Sequence, residues 1–175
     1  MALRKITIDY INDMIKKRGF KLQNLNLCEL GNQLMIDNHT KFKVAKDYYE
    51  SLGVIHTSID WNGRDGALPL DFNKPIDCGK FDVITNVGFI EHIKNENQCF
   101  ENIDNLTKDG GIIIHLVPKV GNYMRHKCYR WYVEKQFRSI GKDKNYKILD
   151  IGVINPRNEK GFDLIRCTYR KGERI

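Results

Sequence analysis

Gly110-Gly111-Ile112-Ile113-Ile114-His115-Leu116-Val117-Pro118 is the stretch on which the fold turns. From Ile112 to Val117 the chain is apolar at every position but one. A strand with one wet face would alternate apolar and polar side chains, so this run predicts a strand covered on both faces. Pro118 has no N–H for a ladder and closes it. Outward from there, Leu25 to Leu30, Val54 to Ile59 and Phe81 to Thr85 are shorter apolar runs, and Ala67 to Phe72 reads as one more short strand. Between them lie segments at helical spacing. Residues 3–18 place Leu3, Ile6, Tyr10, Ile11, Met14 and Ile15 on one face before Gly19; Thr40 to Leu52, Glu91 to Leu106 and Tyr132 to Ile140 are the others. Tyr146 to Val153 and Phe162 to Tyr169, joined by a loop containing Asn155-Pro156, are expected to pair antiparallel. Apolar strands alternating with helices imply a three-layer α/β domain, its sheet mostly parallel with an antiparallel C-terminal strand.

Composition bounds the rest. A chain of 175 residues with 41% hydrophobic residues suits one core, so the expected organisation is a single domain over 1–175, an N-terminal helix at 1–21 preceding an α/β core at 25–169. No apolar run approaches the roughly 20 residues that span a bilayer, which excludes a membrane helix. Met1 to Tyr10 lacks a long apolar stretch, so no secretory signal is expected. Cysteines 28, 78, 99, 128 and 167 are scattered and form no CxxC pair. They read as reduced thiols of a cytoplasmic protein rather than a disulfide scaffold or a zinc ribbon, and no metal site is expected. The net charge of +7 concentrates in Arg4, Lys5, Lys16, Lys17, Arg18 and Lys21, in Lys119 to Arg138, and in Arg170, Lys171 and Arg174. An anionic partner such as RNA is one reading of that excess; a solvated basic face is the preferred one.

In an open parallel sheet, ligands bind beyond the carboxyl ends of the strands, where strand order reverses. The residues following each strand are therefore the candidates. Glu29, Gly31, Asn32 and Gln33 follow the first; Asp60, Trp61 and Asn62 the second; Asp71 and Phe72 the third; Asn86, Val87, Gly88, Glu91 and His92 the fourth; Tyr123 and His126 the loop after the fifth. A carboxylate at Asp60 can accept both hydroxyls of a ribose, and Gly31 lets a ligand approach the backbone. His92 is the candidate general base, while His115, inside a strand, reads as a buried structural imidazole.

The segments Leu27-Cys28-Glu29-Leu30-Gly31-Asn32, Ser58-Ile59-Asp60-Trp61-Asn62-Gly63, Phe81-Asp82-Val83-Ile84-Thr85-Asn86 and Glu91-His92-Ile93, with Leu106-Thr107-Lys108-Asp109-Gly110-Gly111-Ile112, resemble class I S-adenosylmethionine-dependent methyltransferases. The resemblance runs from about residue 25 to 169 and implies a Rossmann-like sheet. By it, the loop from Glu29 to Gln33, through Glu29, Gly31 and Asn32, would hold the methionine moiety of S-adenosylmethionine, Asp60 the ribose, and Asp71 with Phe72 the adenine, with Trp61 a further cofactor contact. Asn86 and Val87 would border the cofactor, and Gly88, Glu91, Tyr123 and His126 the acceptor. The first motif keeps only Gly31 of the usual glycines, and the stretch from Asp60 to Asp71 is too short for the family's helix. A protein of this fold that binds cofactor weakly or not at all, acting as a scaffold, is thus the second reading. Asn86-Val87-Gly88-Phe89 lacks the prolines of the amino-methyltransferase Asn-Pro-Pro-Phe motif, so a small-molecule acceptor is favoured over a base or protein amine. With no added recognition domain, a site completed by a second copy of the chain is the remaining alternative for the acceptor pocket. A nicotinamide oxidoreductase is disfavoured because G-x-G-x-x-G is absent.

Overall fold

The computed structural model describes residues 2–36 and 40–172. Strand β1 (Ala2–Leu3) leads into helix α1 (Lys5–Lys17), which buries Ile8, Ile11, Met14 and Ile15. Next come β2 (Asn26–Leu30), β3 (Leu34–Met35), α2 (Ala45–Ser51), β4 (Ile55–Ile59), β5 (Phe81–Val87) and α3 (Glu96–Leu106). The chain finishes with β6 (Thr107–Pro118), α4 (Glu134–Asp143), β7 (Tyr146–Ile154) and β8 (Leu164–Lys171). Six strands form one sheet in the order β4-β2-β5-β6-β8-β7, and β8 runs antiparallel to both its neighbours while the other contacts are parallel. The chain moves from β2 out to β4, then returns to place β5 on the other side of β2. Strand order therefore reverses at β2, and a crevice opens above its carboxyl end.

Each strand feeds two cores. Leu27, Val83, Ile112, Ile114 and Leu116 face one layer with Ile11 and Ile15 of α1 and Tyr49 of α2. Cys28, Ile84, Ile113 and Val117 face the other with Phe100 and Ile103 of α3 and Phe137 of α4. Successive side chains point to opposite faces, so a strand sandwiched this way must be apolar throughout. That is why the run from Ile112 to Val117 reads as it does.

Several expected boundaries move. The helix expected from Thr40 starts only at Ala45, because Met35 N–H donates to Lys43 O and Leu34 bridges Val44, which keeps the preceding residues extended. The expected strand at Ala67–Phe72 is a single bridge from Leu68 to Ile59, since Pro69 cannot continue a ladder. The helix expected from Glu91 starts at Glu96, where Asn95 Oδ1 accepts from Gln98 N–H; Ile90–His92 is a separate 3₁₀ turn. The short parallel pair β1–β3 has no signal in the apolar pattern. Part of the basic excess is internal. Arg18 Nη2 donates to Leu149 O, Arg170 Nη2 donates to Arg18 O, and the buried Lys171 Nζ serves the carbonyls of Asp104 and Thr107. Arg174 lies outside the described residues.

The glycine pair sits where β6 meets β5. Phe81 pairs with Thr107 but Val83 with Ile112, so Lys108 to Gly111 bulge out opposite Asp82. A Cβ at Gly111 would lie 2.8 Å from Lys108 O and 3.0 Å from Asp82 O, both backbone atoms that cannot swing aside. Gly111→Ala should therefore lower unfolding stability by about 1–3 kcal/mol. The check is a reduced urea midpoint at unchanged denaturant slope.

Candidate functional site

The crevice above β2 is a cavity of about 560 Å³. Its first wall is the turn after β2. Gly31 adopts φ +83°, a conformation that favours glycine, and a Cβ there would meet Gln33 Nε2 at 2.9 Å and Phe89 Cδ2 at 3.4 Å. The residues that replace the missing glycines are folded back on the protein. Gln33 Nε2 donates to Val87 O at 3.0 Å and Leu30 O at 3.3 Å, while its backbone N–H donates to Glu29 Oε2. Gln33 Oε1 is buried without a partner.

The second wall comes from β4. Asp60 Oδ2 accepts from Asn32 N–H at 3.0 Å and Oδ1 from Asn62 N–H at 3.1 Å. Each oxygen keeps a lone pair for a ligand hydroxyl. Trp61 beside it is 80% exposed, an unusual position for the largest apolar side chain. Leu70, Asp71, Phe72 and Asn73 complete that end. Asp71 Oδ1 accepts from the Asn73 backbone and side-chain amides, which holds its carboxyl below the usual range.

The third wall is the turn after β5, and it is set by Asn86. This buried amide accepts at Oδ1 from Phe89 N–H and Ile90 N–H, so its Nδ2 is the donor to His115 Nδ1 at 2.8 Å. His115 therefore carries its proton on Nε2 and is neutral. Burial among Phe100, Phe137 and Tyr169 pulls its pKa down to about 3. Phe89 packs edge-on against Phe72, ring centroids 5.1 Å apart, and forms the cavity floor.

Beyond Phe89 lie three titratable groups. Glu91 is fully buried, neither carboxylate oxygen has a hydrogen-bond partner, and burial pushes its pKa up to about 7. His92 Nε2 and His126 Nε2 lie 2.8 Å apart, and both imidazole pKa values are lowered by burial, that of His92 also by the His126 charge.

Of the residues expected from sequence, Gly31, Asn32, Asp60, Trp61, Asp71, Phe72, Gly88 and His92 line this cavity. Glu29, Asn86, Val87 and Glu91 are buried behind it. Glu29 lies 3.6 Å from His56 Nε2 and its carboxyl is pushed upward by burial. Tyr123 and His126 line a neighbouring cleft of about 180 Å³ with Arg4 and Arg157. Leu70, Asn73 and Ile93 line the cavity without having been singled out. Asn73 was detectable in principle, as the residue closing an Asx turn on Asp71.

Residues 19–115, more than half of the chain, match the model of a family described as "Methyltransferase domain". No curated protein sequence matches the chain. Among solved structures, the chain is similar to a phosphoethanolamine N-methyltransferase from Haemonchus contortus in complex with phosphomonomethylethanolamine and S-adenosylhomocysteine (TM-score 0.68, 14% identity, 94% of this chain and 53% of that one). A second is a putative sarcosine dimethylglycine methyltransferase from Galdieria sulphuraria (0.65, 12%, 97% and 86%). A third is the 1,6-didemethyltoxoflavin N1-methyltransferase of Burkholderia thailandensis with bound 1,6-didemethyltoxoflavin and S-adenosylhomocysteine (0.64, 11%, 95% and 87%). Among the described residues, no helix is long and apolar enough to cross a membrane.

The burial of the His115 imidazole makes stability depend on pH. The unfolded chain protonates His115 near 6.5 and the folded chain only near 3, so this contribution is complete above 6.5 and is lost as the pH falls through that window. The slope approaches about 1.4 kcal/mol per pH unit. His115→Gln, whose amide carbonyl can still accept from Asn86, should remove that slope. Glu29 and Glu91, with raised pKa values, act in the opposite sense in both proteins, so urea midpoints of wild type and variant across pH 4–8 isolate the histidine.

Proposed function

The chain belongs to the methyltransferase-domain family, and we propose that its chemistry is methyl transfer, that the cavity above β2 binds S-adenosylmethionine and that a small-molecule acceptor enters beside His92. The observation that carries the reading is the convergence of Gly31, Asp60, Trp61, Asp71 and Gly88 on one cavity at the sheet's reversal point. The residues fit that ligand. Asp60 retains lone pairs for two vicinal ribose hydroxyls, and the exposed face of Trp61 offers an adenine a stacking surface next to Asp71 and Phe72. Gln33 Oε1, unpaired beside the Gly31 turn, can accept from the ammonium of the methionine part. Glu29, Asn86 and Val87 support these contacts from behind, by holding Gln33 and the turn after β5.

The cofactor supplies an activated sulfonium methyl; the protein's task is to hold an acceptor in line with it and to exclude alternatives. Phe89 and Gly88 form the apolar border at that end, and His92 is the titratable side chain facing it. Two features support a small acceptor. The cavity is of a size for cofactor plus metabolite. The Burkholderia and Haemonchus enzymes are seen with 1,6-didemethyltoxoflavin and phosphomonomethylethanolamine in place. Internal use of Arg18, Arg170 and Lys171 leaves less of the basic excess for a polyanion.

Calorimetric titration with S-adenosylhomocysteine tests the reading directly. Wild-type protein should bind at micromolar to submillimolar concentration. Asp60→Ala should lose at least tenfold, about 1.4 kcal/mol, with an unchanged circular dichroism spectrum. In a Trp131→Phe background Trp61 is the sole tryptophan, and its fluorescence should respond to ligand. Absence of binding at millimolar concentration supports the scaffold reading instead; unchanged affinity in Asp60→Ala moves the ribose elsewhere.

A further inference from the structure

On the acceptor side of the cavity, side chains from two segments converge on one point. Glu91 and His92 come from the turn after β5, and His126 from the loop after β6. His92 Nε2 and His126 Nε2 are 2.8 Å apart, and each is 4.0 Å from Glu91 Oε1. Glu91 is 0% exposed with both oxygens unpartnered, a costly condition for a carboxylate. The two imidazoles present the same nitrogen to each other, so without a further group one must spend its proton on the other. A dication between them resolves both problems at once. It gives the carboxylate a counter-charge and accepts a lone pair from each ring.

We propose that Glu91, His92 and His126 form a binding site for a divalent transition metal of the zinc type. Two imidazole nitrogens and one carboxylate oxygen suit zinc and its first-row neighbours rather than magnesium, which prefers an octahedron of oxygens. With metal–ligand bonds of about 2.0–2.2 Å, a tetrahedral site separates its donor atoms by about 3.3 Å. The observed 2.8 and 4.0 Å bracket that value, so small side-chain rotations close the site. Three protein ligands leave a fourth position open, and one of them, His92, lines the cavity. The partial exposure of His92 (37%) and His126 (31%) provides access.

The scaffold holds the two segments together independently of any ion. Tyr129 N–H donates to Glu91 O at 2.8 Å, and Arg130 Nη1 donates to Ile93 O at 2.6 Å. His126 N–H donates to Tyr123 O, within a turn where Tyr123 takes φ 53°. Outer contacts of this kind fix imidazole orientation in metal sites. The site stands apart from the cofactor reading, since none of its three ligands is needed to hold the ribose, adenine or methionine part.

The full-length protein, stripped with EDTA and dialysed, is titrated with ZnCl₂, CoCl₂ and MgCl₂ by calorimetry. One Zn²⁺ per chain should bind at micromolar concentration or tighter, and Mg²⁺ should not compete. Co²⁺ should give visible d–d absorption without a thiolate charge-transfer band, which excludes the partly exposed Cys78 and Cys128 as ligands. His126→Ala, in a surface loop, and Glu91→Gln, a neutral isostere, should each weaken Zn²⁺ binding by roughly a hundredfold or more. Zn²⁺ should raise the melting temperature of wild type and not of His126→Ala. Failure to bind stoichiometrically, or equal affinity in His126→Ala, overturns the site. S-adenosylhomocysteine binding is measured on the same stripped protein. Zinc without nucleoside binding leaves this site standing and sinks the cofactor reading, and the converse result does the opposite.

Discussion

The side-chain amide of Asn86 is the interaction on which the site depends. It is fully buried at the end of β5, and each polar atom is spent: two backbone N–H groups on Oδ1, one imidazole on Nδ2. A hydrogen bond of this kind contributes about 0.5–1.5 kcal/mol, but leaving either partner unmet in the core costs about 1–3. The penalty forces the chain after Val87 into one path. Gly88, at φ +63°, donates its N–H to Leu116 O and extends the β5–β6 ladder by one step. Phe89 is thereby pressed onto Phe72 and against Gly31, and Glu91 is turned inward toward His126. One amide in the sheet thus sets both the floor of the cavity and the direction of the cluster beyond it.

The turn after β2 solves a different problem, a glycine-rich motif with one glycine left. A loop that must approach a ligand closely can dispense with glycine only if its side chains are taken elsewhere. Gln33 buries its amide on two main-chain carbonyls, and Asn32 turns its side chain to Arg64 O and Asp65. Asp60 receives the Asn32 N–H, coupling the β2 and β4 tips without an intervening helix. Glu29 anchors the same turn from below, beside a His56 ring stacked 6.0 Å from Tyr49. Side-chain hydrogen bonds here replace the conformational freedom that glycine would have supplied.

The legible and illegible parts of the fold divide by the range of the interactions behind them. Ile112 to Val117 announced a doubly covered strand because its environment is the same at every residue, and the parallel sheet followed from repeating that pattern. The start of α2 did not, because the extended run to Val44 is dictated by Met35 and Leu34, across the chain rather than along it. The start of α3 was misplaced because Ile90 and Ile93 are apolar at helical spacing yet packed by the 3₁₀ turn, with Asn95 as the true cap. At the site, the strand-tip rule located Gly31, Asp60, Trp61 and His92, whose positions are fixed by β2, β4 and β5. It could not join His92 to His126, 34 residues apart, since their meeting depends on the path of a loop clamped by Arg130. The basic excess misled for the same reason: charge counts do not show that Lys171 is buried against Asp104.

Buried polar atoms without partners cost free energy, so where they collect is informative. On the side of Asp60 the polar groups are met by backbone, and among the cavity-lining residues only Gln33 Oε1 is left over. On the side of Glu91 both carboxylate oxygens are unmet, and two imidazoles face each other. A fold stable enough to tolerate that arrangement has no structural reason to keep it, because replacing Glu91 by an apolar residue of similar size would relieve the burial cost. Other buried polar atoms also lack partners, among them Tyr49 Oη, Tyr132 Oη and both ring nitrogens of His56, but among the described residues only Glu91 leaves both oxygens of a carboxylate unmet, beside two imidazoles. Its company is what distinguishes a residue kept for binding from one kept for folding: an orphaned tyrosine hydroxyl has no ligand atoms gathered around it, whereas this carboxylate has an imidazole nitrogen 4.0 Å away on each of two segments.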